Sequence, residues 1–315
     1  MNQFFATFLS AGFWYGVIRC ATPILFGALA ALMSRRCGVT NMAIEGIMMF
    51  GALVAVIGSA LSQNVWIGLL CSIVIAVVIS LGLTMFKIRM QADEIMSAIA
   101  INLFATGGTV FVLYMITGEK SNSSKLANPV LPRIDIPILK DIPFIGEVFS
   151  GQNILVYVAI AAVFVIYYLL FKTPLGLRIR SVGGNPNAAE SVGVSVQKMQ
   201  YIAMGISGVL SGLAGAFMSL AYMNMFTAGM TAGRGYIALA ASNLGGAHPI
   251  GALLASLLFG LFDFLSNSMQ QMGIAPELIQ MTPYLATVIL YSIYSYMKMT
   301  EKRRKNKKLA KGKAA

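Results

Sequence analysis

The chain has 315 residues, 57% of them hydrophobic and only 11% charged, with a mean hydropathy of +0.77. Water-soluble domains carry about 25% charged residues, so this composition excludes the two soluble domains that the length alone would suggest and places the protein in a bilayer. The net charge of +12 is unevenly placed: residues 298–315 hold nine Lys or Arg against one acid, which makes basicity a property of a tail and loops and argues against a nucleic-acid surface.

A helical crossing needs about 20 apolar residues. In chain order the first span is 13–34. The uncharged run from Gly46 to Phe86 is too long for one helix and softens near Ser59–Asn64, so it divides into spans at 43–61 and 66–86. Spans at 95–118 and 152–171 follow. The uncharged stretch 199–233 again exceeds one helix; it divides near Met223 into a span at 199–222 and a weaker segment at 226–246, which contains Arg234 and many Gly and Ala residues and reads as broken or re-entrant. Segments 249–270 and 278–297 complete the series. The fold expected is therefore all-α, a polytopic membrane bundle of about eight to ten transmembrane helices, with a transmembrane domain over 1–297 and a basic tail over 298–315.

Lys and Arg in short loops set orientation. Arg35 and Arg36, Lys87 and Arg89, and Lys172, Arg178, Arg180 and Lys198 follow the first, third and fifth spans. The loop 117–151 mixes Lys120, Lys125, Arg133 and Lys140 with Glu119, Asp135, Asp141 and Glu147, and contains four prolines. The basic clusters share one side when nine segments cross, with the N-terminus outside, loop 117–151 extracytoplasmic, and loop 172–198 and the tail cytoplasmic. The N-terminus lacks the basic region and small-residue cleavage site of a removable signal peptide.

The chemistry is sparse. No GxxxxGK[ST] loop, HExxH, G-x-S-x-G or paired metal ligands occur, so an enzyme is disfavoured, and no catalytic residue, metal or cofactor is expected in this chain. Cys20, Cys37 and Cys71 lack disulfide or zinc spacing and read as apolar packing residues. His248, the lone histidine, reads as structural. Four ionisable residues fall within apolar segments: Arg19, Glu45, Arg234 and Asp263. Such residues are costly in a bilayer and mark function by default. Glu45 is expected to pair with Arg19, to cap a short broken helix after Gly38, or to bond backbone. Glycines four apart, notably Gly208 and Gly212, let helices approach closely. In loop 172–198, Asn185 caps a short helix that starts at Pro186 and ends at Gly193.

Three motifs carry a family resemblance. The run Gly176-Leu-Arg-Ile-Arg-Ser-Val-Gly-Gly-Asn-Pro-Asn-Ala-Ala-Glu-Ser-Val-Gly193 resembles the coupling loop of permease subunits in the branched-chain amino acid and ribose superfamily of ABC importers. Asn41-Met-Ala-Ile-Glu-Gly46 resembles that superfamily's start of the second span. Gly233-Arg-Gly-Tyr-Ile-Ala-Leu-Ala240 with His248-Pro-Ile-Gly-Ala-Leu-Leu-Ala255 resembles its nucleoside branch. The resemblance covers roughly 15–297; Gly184 and Asn243-Leu-Gly-Gly depart from the usual pattern.

The resemblance implies half of a permease pair in a bacterial cytoplasmic membrane, moving nucleosides. A separate cytoplasmic ATPase would bind ATP and Mg, and an extracytoplasmic lipoprotein would deliver solute. The ATPase contact would fall on Asn185, Pro186, Ala188, Ala189, Glu190 and Ser191, flanked by Arg178 and Arg180. A neutral solute with a flat base needs a few polar groups in an apolar path, for which the candidates are Asn41, Glu45, Asn102, Asn224 and Asn243; each also suits an interhelical hydrogen bond. The basic tail would meet anionic lipid, and no nucleic acid is expected as a partner. Rival readings are a sugar or branched-chain amino acid permease of the same superfamily, or a secondary carrier that works alone.

Overall fold

The computed structural model describes residues 10–135 and 145–270, together with Val288, Ser292, Tyr296 and Met299. Apart from those four residues, the expected span 278–297 and the tail 298–315 lie outside the described residues.

Among the described residues, seven helices are long and apolar enough to cross a membrane. They are α1 (Ala11–Arg36), α2 (Ile44–Ser62), α3 (Val65–Arg89), α4 (Glu94–Thr117), α6 (Ile154–Lys172), α9 (Val196–Phe217) and α11 (Pro249–Gln270). Shorter helices are α5 (Ile145–Phe149), α7 (Pro174–Gly184), α8 (Pro186–Ser191) and α10 (Arg234–Leu244). The strands amount to two residues each, Arg133–Ile134 (β1) antiparallel to Gln152–Asn153 (β2). Seven expected spans form close to their predicted limits, because polar caps punctuate the apolar runs. Asp93 accepts from the backbone N–H groups of Ile95 and Met96 at the start of α4, Asn64 caps α3, and Asn153 caps α6. Arg35 and Arg36 close α1, and Lys87 and Arg89 close α3, where cations complement the helix dipole.

Helix α1 is the centre of the bundle. Its apolar window is 83% buried, against 22% for α4. It packs on α9, α10, α11 and α6, while α3 lies against α2 and α9. Small residues make the closest crossings. A Cβ added to Gly208 would sit 2.8 Å from Val77 Cα, and one on Gly212 would lie 2.9 Å from both the Ala76 methyl and the Ser72 carbonyl oxygen. The glycine string of α9 is therefore a packing face within this chain. Cys20 and Cys37 are buried; burial pushes the Cys37 thiol up to about 11, so it stays protonated at neutral pH.

The segment 226–246 departs from an uninterrupted span. Helix α9 runs into a π-helical turn at Met218–Tyr222, and turns occupy most of 223–233. Left-handed backbone at Asn224, Gly229, Ala232 and Gly233 keeps any helix from forming there. Only α10 follows, about 16 Å long at 1.5 Å per residue. The segment nevertheless traverses the bundle. At its start, the Phe226 carbonyl accepts from the Ser123 N–H, and Thr227 bridges to Asn122, both in the loop after α4. At its end, Arg35 donates to Asn243, and Arg36 Nε donates to the Ala247 carbonyl at 3.0 Å. The turns of 223–233 and α10 together thus make an eighth crossing among the described residues, and the basic helix ends gather at one face. There Lys87 pairs with Glu94 and donates to the Gly38 carbonyl, and Arg180 lies over the Phe171 ring.

Loop 172–198 holds two helices where one was expected. Thr173 caps α7 with Pro174 at its first position, and α7 docks against the end of α1 through Gly183. A Cβ there would strike the Arg36 carbonyl oxygen at 2.2 Å.

Candidate functional site

A broken crossing in a bilayer must answer for its free backbone groups, since each unsatisfied one costs several kcal/mol in hydrocarbon. Glu45 does this for the start of α10. Its Oε1 accepts from Gly233 N–H at 2.8 Å and its Oε2 from Gly235 N–H at 2.6 Å. A carboxylate at a helix N-terminus also suits the dipole. The contact demands glycine at 235, because a Cβ would lie 2.6 Å from Glu45 Cα and N. Glu45 thus caps a broken helix, as one sequence reading expected, but the helix begins at Arg234 and not after Gly38. It does not pair with Arg19, whose Nη2 donates to the carbonyls of Ala221 (3.0 Å) and Tyr222 (2.6 Å) where the π turn ends.

Arg234 pairs with Asp263 of α11. Its Nε and Nη2 donate to Asp263 Oδ2 at 3.1 and 2.8 Å, and its Nη1 donates to the Met230 carbonyl at 3.3 Å. The guanidinium carbons of Arg19 and Arg234 lie 5.0 and 5.7 Å from the centre of the Tyr222 ring. This network ties α1, the π turn, α10 and α11 together within the bundle.

Asn102 of α4 stands beside it, about 12 Å along the helix from Glu94. Its Oδ1 accepts from Gly46 N–H at 2.8 Å, and its Nδ2 donates to the Met42 carbonyl at 3.0 Å and to Tyr236 Oη at 2.9 Å. Asn41 is buried; its Nδ2 donates to Ser207 Oγ at 3.1 Å and its Oδ1 accepts from Ala43 N–H at 3.1 Å. Asn41, Glu45 and Asn102 therefore share one region, fastening the start of α2 to α9, α10 and α4. Asn224 and Asn243 lie at opposite ends of the broken crossing. Asn224 is exposed with its carbonyl accepting from Asn128 Nδ2 at 3.4 Å, and Asn243 is held by Arg35.

An open stripe runs between those ends. Ala228, Gly229, Ala232 and Tyr236 are exposed, and Leu239, Ala240 and Asn243 are partly so. The spacing of 236, 239, 240 and 243 marks one face of α10. Irregular backbone at membrane depth is tolerated only against protein or a water-filled cavity, so the non-helical part of the stripe, 228–233, calls for protein or water beside it. Two cavities, of about 250 and 410 Å³, are lined by other residues; of the path candidates, Asn224 is exposed, Asn102 and Asn243 are partly so, and Asn41 and Glu45 are buried.

Helix α8 projects at the basic face. Asn185 accepts from Ala188 N–H at 3.2 Å and Pro186 occupies the first turn, while Gly193, at φ +80°, ends the segment. Arg178, Asn185, Pro186, Ala188, Glu190 and Ser191 are exposed and Arg180 is half-buried. Ala189 alone in this helix points inward, 3% exposed. Sequence reasoning singled out none of Tyr222, Tyr236 and the Arg234–Asp263 pairing as such; Tyr236 lies inside the Gly233–Ala240 motif, and its companions there offered no reason to separate it.

The chain is a multi-pass helical membrane bundle with a broken crossing at an open face and a capped helix projecting from its basic end. The chain belongs to the branched-chain amino acid transport system / permease component family, which matches residues 14–293. It is 38% identical over 280 residues to the guanosine ABC transporter permease protein NupQ of Bacillus subtilis, covering 85% of this chain and 87% of that one. It is 34% identical over 285 residues to the nucleoside ABC transporter permease protein NupC of Lactococcus lactis, covering 87% and 89%. The protein named "Putative glucose ABC transporter permease protein TsgC13", of Haloferax volcanii, is 31% identical over 312 residues, covering 90% and 91%.

Proposed function

We propose that this chain is one permease subunit of an ATP-driven nucleoside importer of the plasma membrane, with its N-terminus outside and its basic face toward the cytoplasm. The observation that carries the transport reading is the open stripe along 223–246, whose first part, 223–233, is irregular backbone in a bilayer-spanning chain and requires protein or water beside it. A second, related permease would close that face and enclose the solute path between the two chains. The names borne by two relatives at 38% and 34% identity support nucleoside as cargo. The 31% relative supports glucose as a second reading.

Asn224 at the outer end, Asn102 beside the middle and Asn243 at the basic end would serve the path, while Asn41 and Glu45 would set its shape through the start of α2. ATP and Mg would be bound by a separate cytoplasmic ATPase that grips α8, and a lipoprotein would present the solute outside. Closure of the nucleotide sites would shift α8 and α7. Because α7 is locked to the end of α1 through Gly183, that shift would reach the central helix and change which side the path faces. ATP can drive this only by binding the two arrangements with different affinity. The nine cations of the tail suit anionic lipid headgroups.

The test is uptake by proteoliposomes holding this chain, its partner permease, the ATPase and the receptor. Guanosine should enter in an ATP-dependent manner and resist competition by glucose, and vesicles with this chain alone should take up nothing. Competition by glucose would favour the sugar reading, and uptake by the lone chain would make it a stand-alone carrier. Ala188→Arg with Glu190→Arg, both on the exposed face of α8, should cut uptake at least tenfold and abolish ATPase co-purification with the permease pair intact; normal uptake and assembly would remove α8 as the contact. Ala189 is unsuitable, since a bulky charge at that buried position would unfold the helix it is meant to probe.

A further inference from the structure

We propose that Tyr236 is a substrate-contacting, specificity-determining residue: its hydroxyl donates a hydrogen bond to an acceptor atom on the nucleobase as the nucleoside passes α10. The inference rests on the nucleoside reading above and deepens it.

The orientation of the Asn102 amide is dictated by backbone. The Gly46 N–H can only donate, so the atom facing it is Oδ1; the Met42 carbonyl can only accept, so the atom facing it is Nδ2. The remaining Nδ2 hydrogen is aimed at Tyr236 Oη, 2.9 Å away. The phenol oxygen is therefore the acceptor in that bond, and its own proton is directed elsewhere. No acceptor among the described residues takes it.

The position sharpens this. Tyr236 is 48% exposed and stands four residues after exposed Ala232, on the stripe that leads to Asn243. The hydroxyl lies beside Asn102, about a dozen ångströms along α4 from its start. A phenol proton left unsatisfied in hydrocarbon would cost as much as any buried hydroxyl. On a face that meets solute it becomes a donor held in one direction by a rigid anchor. The ring beneath it supplies a flat apolar surface. An aromatic plane with one outward donor and no formal charge matches a neutral planar heterocycle with ring-nitrogen or carbonyl acceptors. A site for a sugar would be expected to offer several donors and acceptors together.

Tyr236→Phe in the complete transporter, reconstituted in proteoliposomes and supplied with guanosine, separates this from a packing role. It keeps the ring and removes only the donor. Permease pairing and the receptor-stimulated rate of ATP hydrolysis should match the unaltered transporter, while guanosine molecules imported per ATP hydrolysed should fall about tenfold. Tyr236→Leu, which removes the ring as well, should fall further. An unchanged import-to-hydrolysis ratio in Tyr236→Phe overturns the proposal, whether both rates hold or both fall. A drop traced to lost pairing also overturns it, because Tyr236 would then be an interface residue. If the unaltered complex moves no nucleoside, the substrate reading fails first and this inference with it, so the two failures stay distinguishable.

Discussion

Asp263→Ala should destabilise the protein by about 3–5 kcal/mol, the cost of stranding one partner of a buried ion pair. Asp263 Oδ2 receives both the Nε and the Nη2 of Arg234, and the side chains of the pair are only 11% and 12% exposed. Removing the carboxylate leaves a guanidinium whose sole remaining hydrogen-bond partner among the described residues is the Met230 carbonyl. The damage should spread along the network, because Arg234 also faces the Tyr222 ring that Arg19 faces from α1. Detergent-solubilised Asp263→Ala should show a much lower thermal unfolding midpoint and poor recovery from membranes. Arg234→Met with Asp263→Leu should restore most of the loss, since an apolar pair of similar volume is often neutral or better than a buried salt bridge. A single Asp263→Ala variant as stable as the parent would mean that water reaches the pair.

Glu45→Ala should cost nearly as much, by a different route. It strands the N–H groups of Gly233 and Gly235 at the start of α10, and each buried donor left unmade costs about 1–3 kcal/mol. Glu45→Gln should be milder, because the amide oxygen can still serve one N–H while its NH₂ opposes the other. The ordering, parent above Gln above Ala, is the result to seek in thermal unfolding and in guanosine uptake. Equal values for Gln and Ala would remove the two-donor clasp from the account.

Much of this architecture was legible in the sequence. Long uncharged runs mark the helices, and the short helix after the Asn185 cap follows from Pro186 and Gly193; the caps at Asp93 and Asn153 are found only in the structure. Arg19, Glu45, Arg234 and Asp263 also stood out as charges in apolar segments. Their partners did not. Arg234 and Asp263 are 29 residues apart, and Glu45 reaches amides nearly 190 positions away; periodicity reports which face a residue occupies, not which distant helix meets it. The break in 226–246 was visible as glycine and alanine content. That it still crosses depended on contacts with Ser123 at one end and Arg36 at the other. Tyr236 was hidden because an aromatic residue in an apolar segment is normally packing, and only the fixed orientation of Asn102 gives its hydroxyl a direction.

The central claim is that the broken crossing borders water. Substituted-cysteine labelling of the assembled transporter tests it directly. In a background with Cys20, Cys37 and Cys71 replaced, single cysteines at Ala232 and Tyr236 should react with a membrane-impermeant thiol reagent as Asn224→Cys does at the end away from the basic face. Labelling at Asn224→Cys with none at the other two positions, throughout the ATP cycle, would contradict the account.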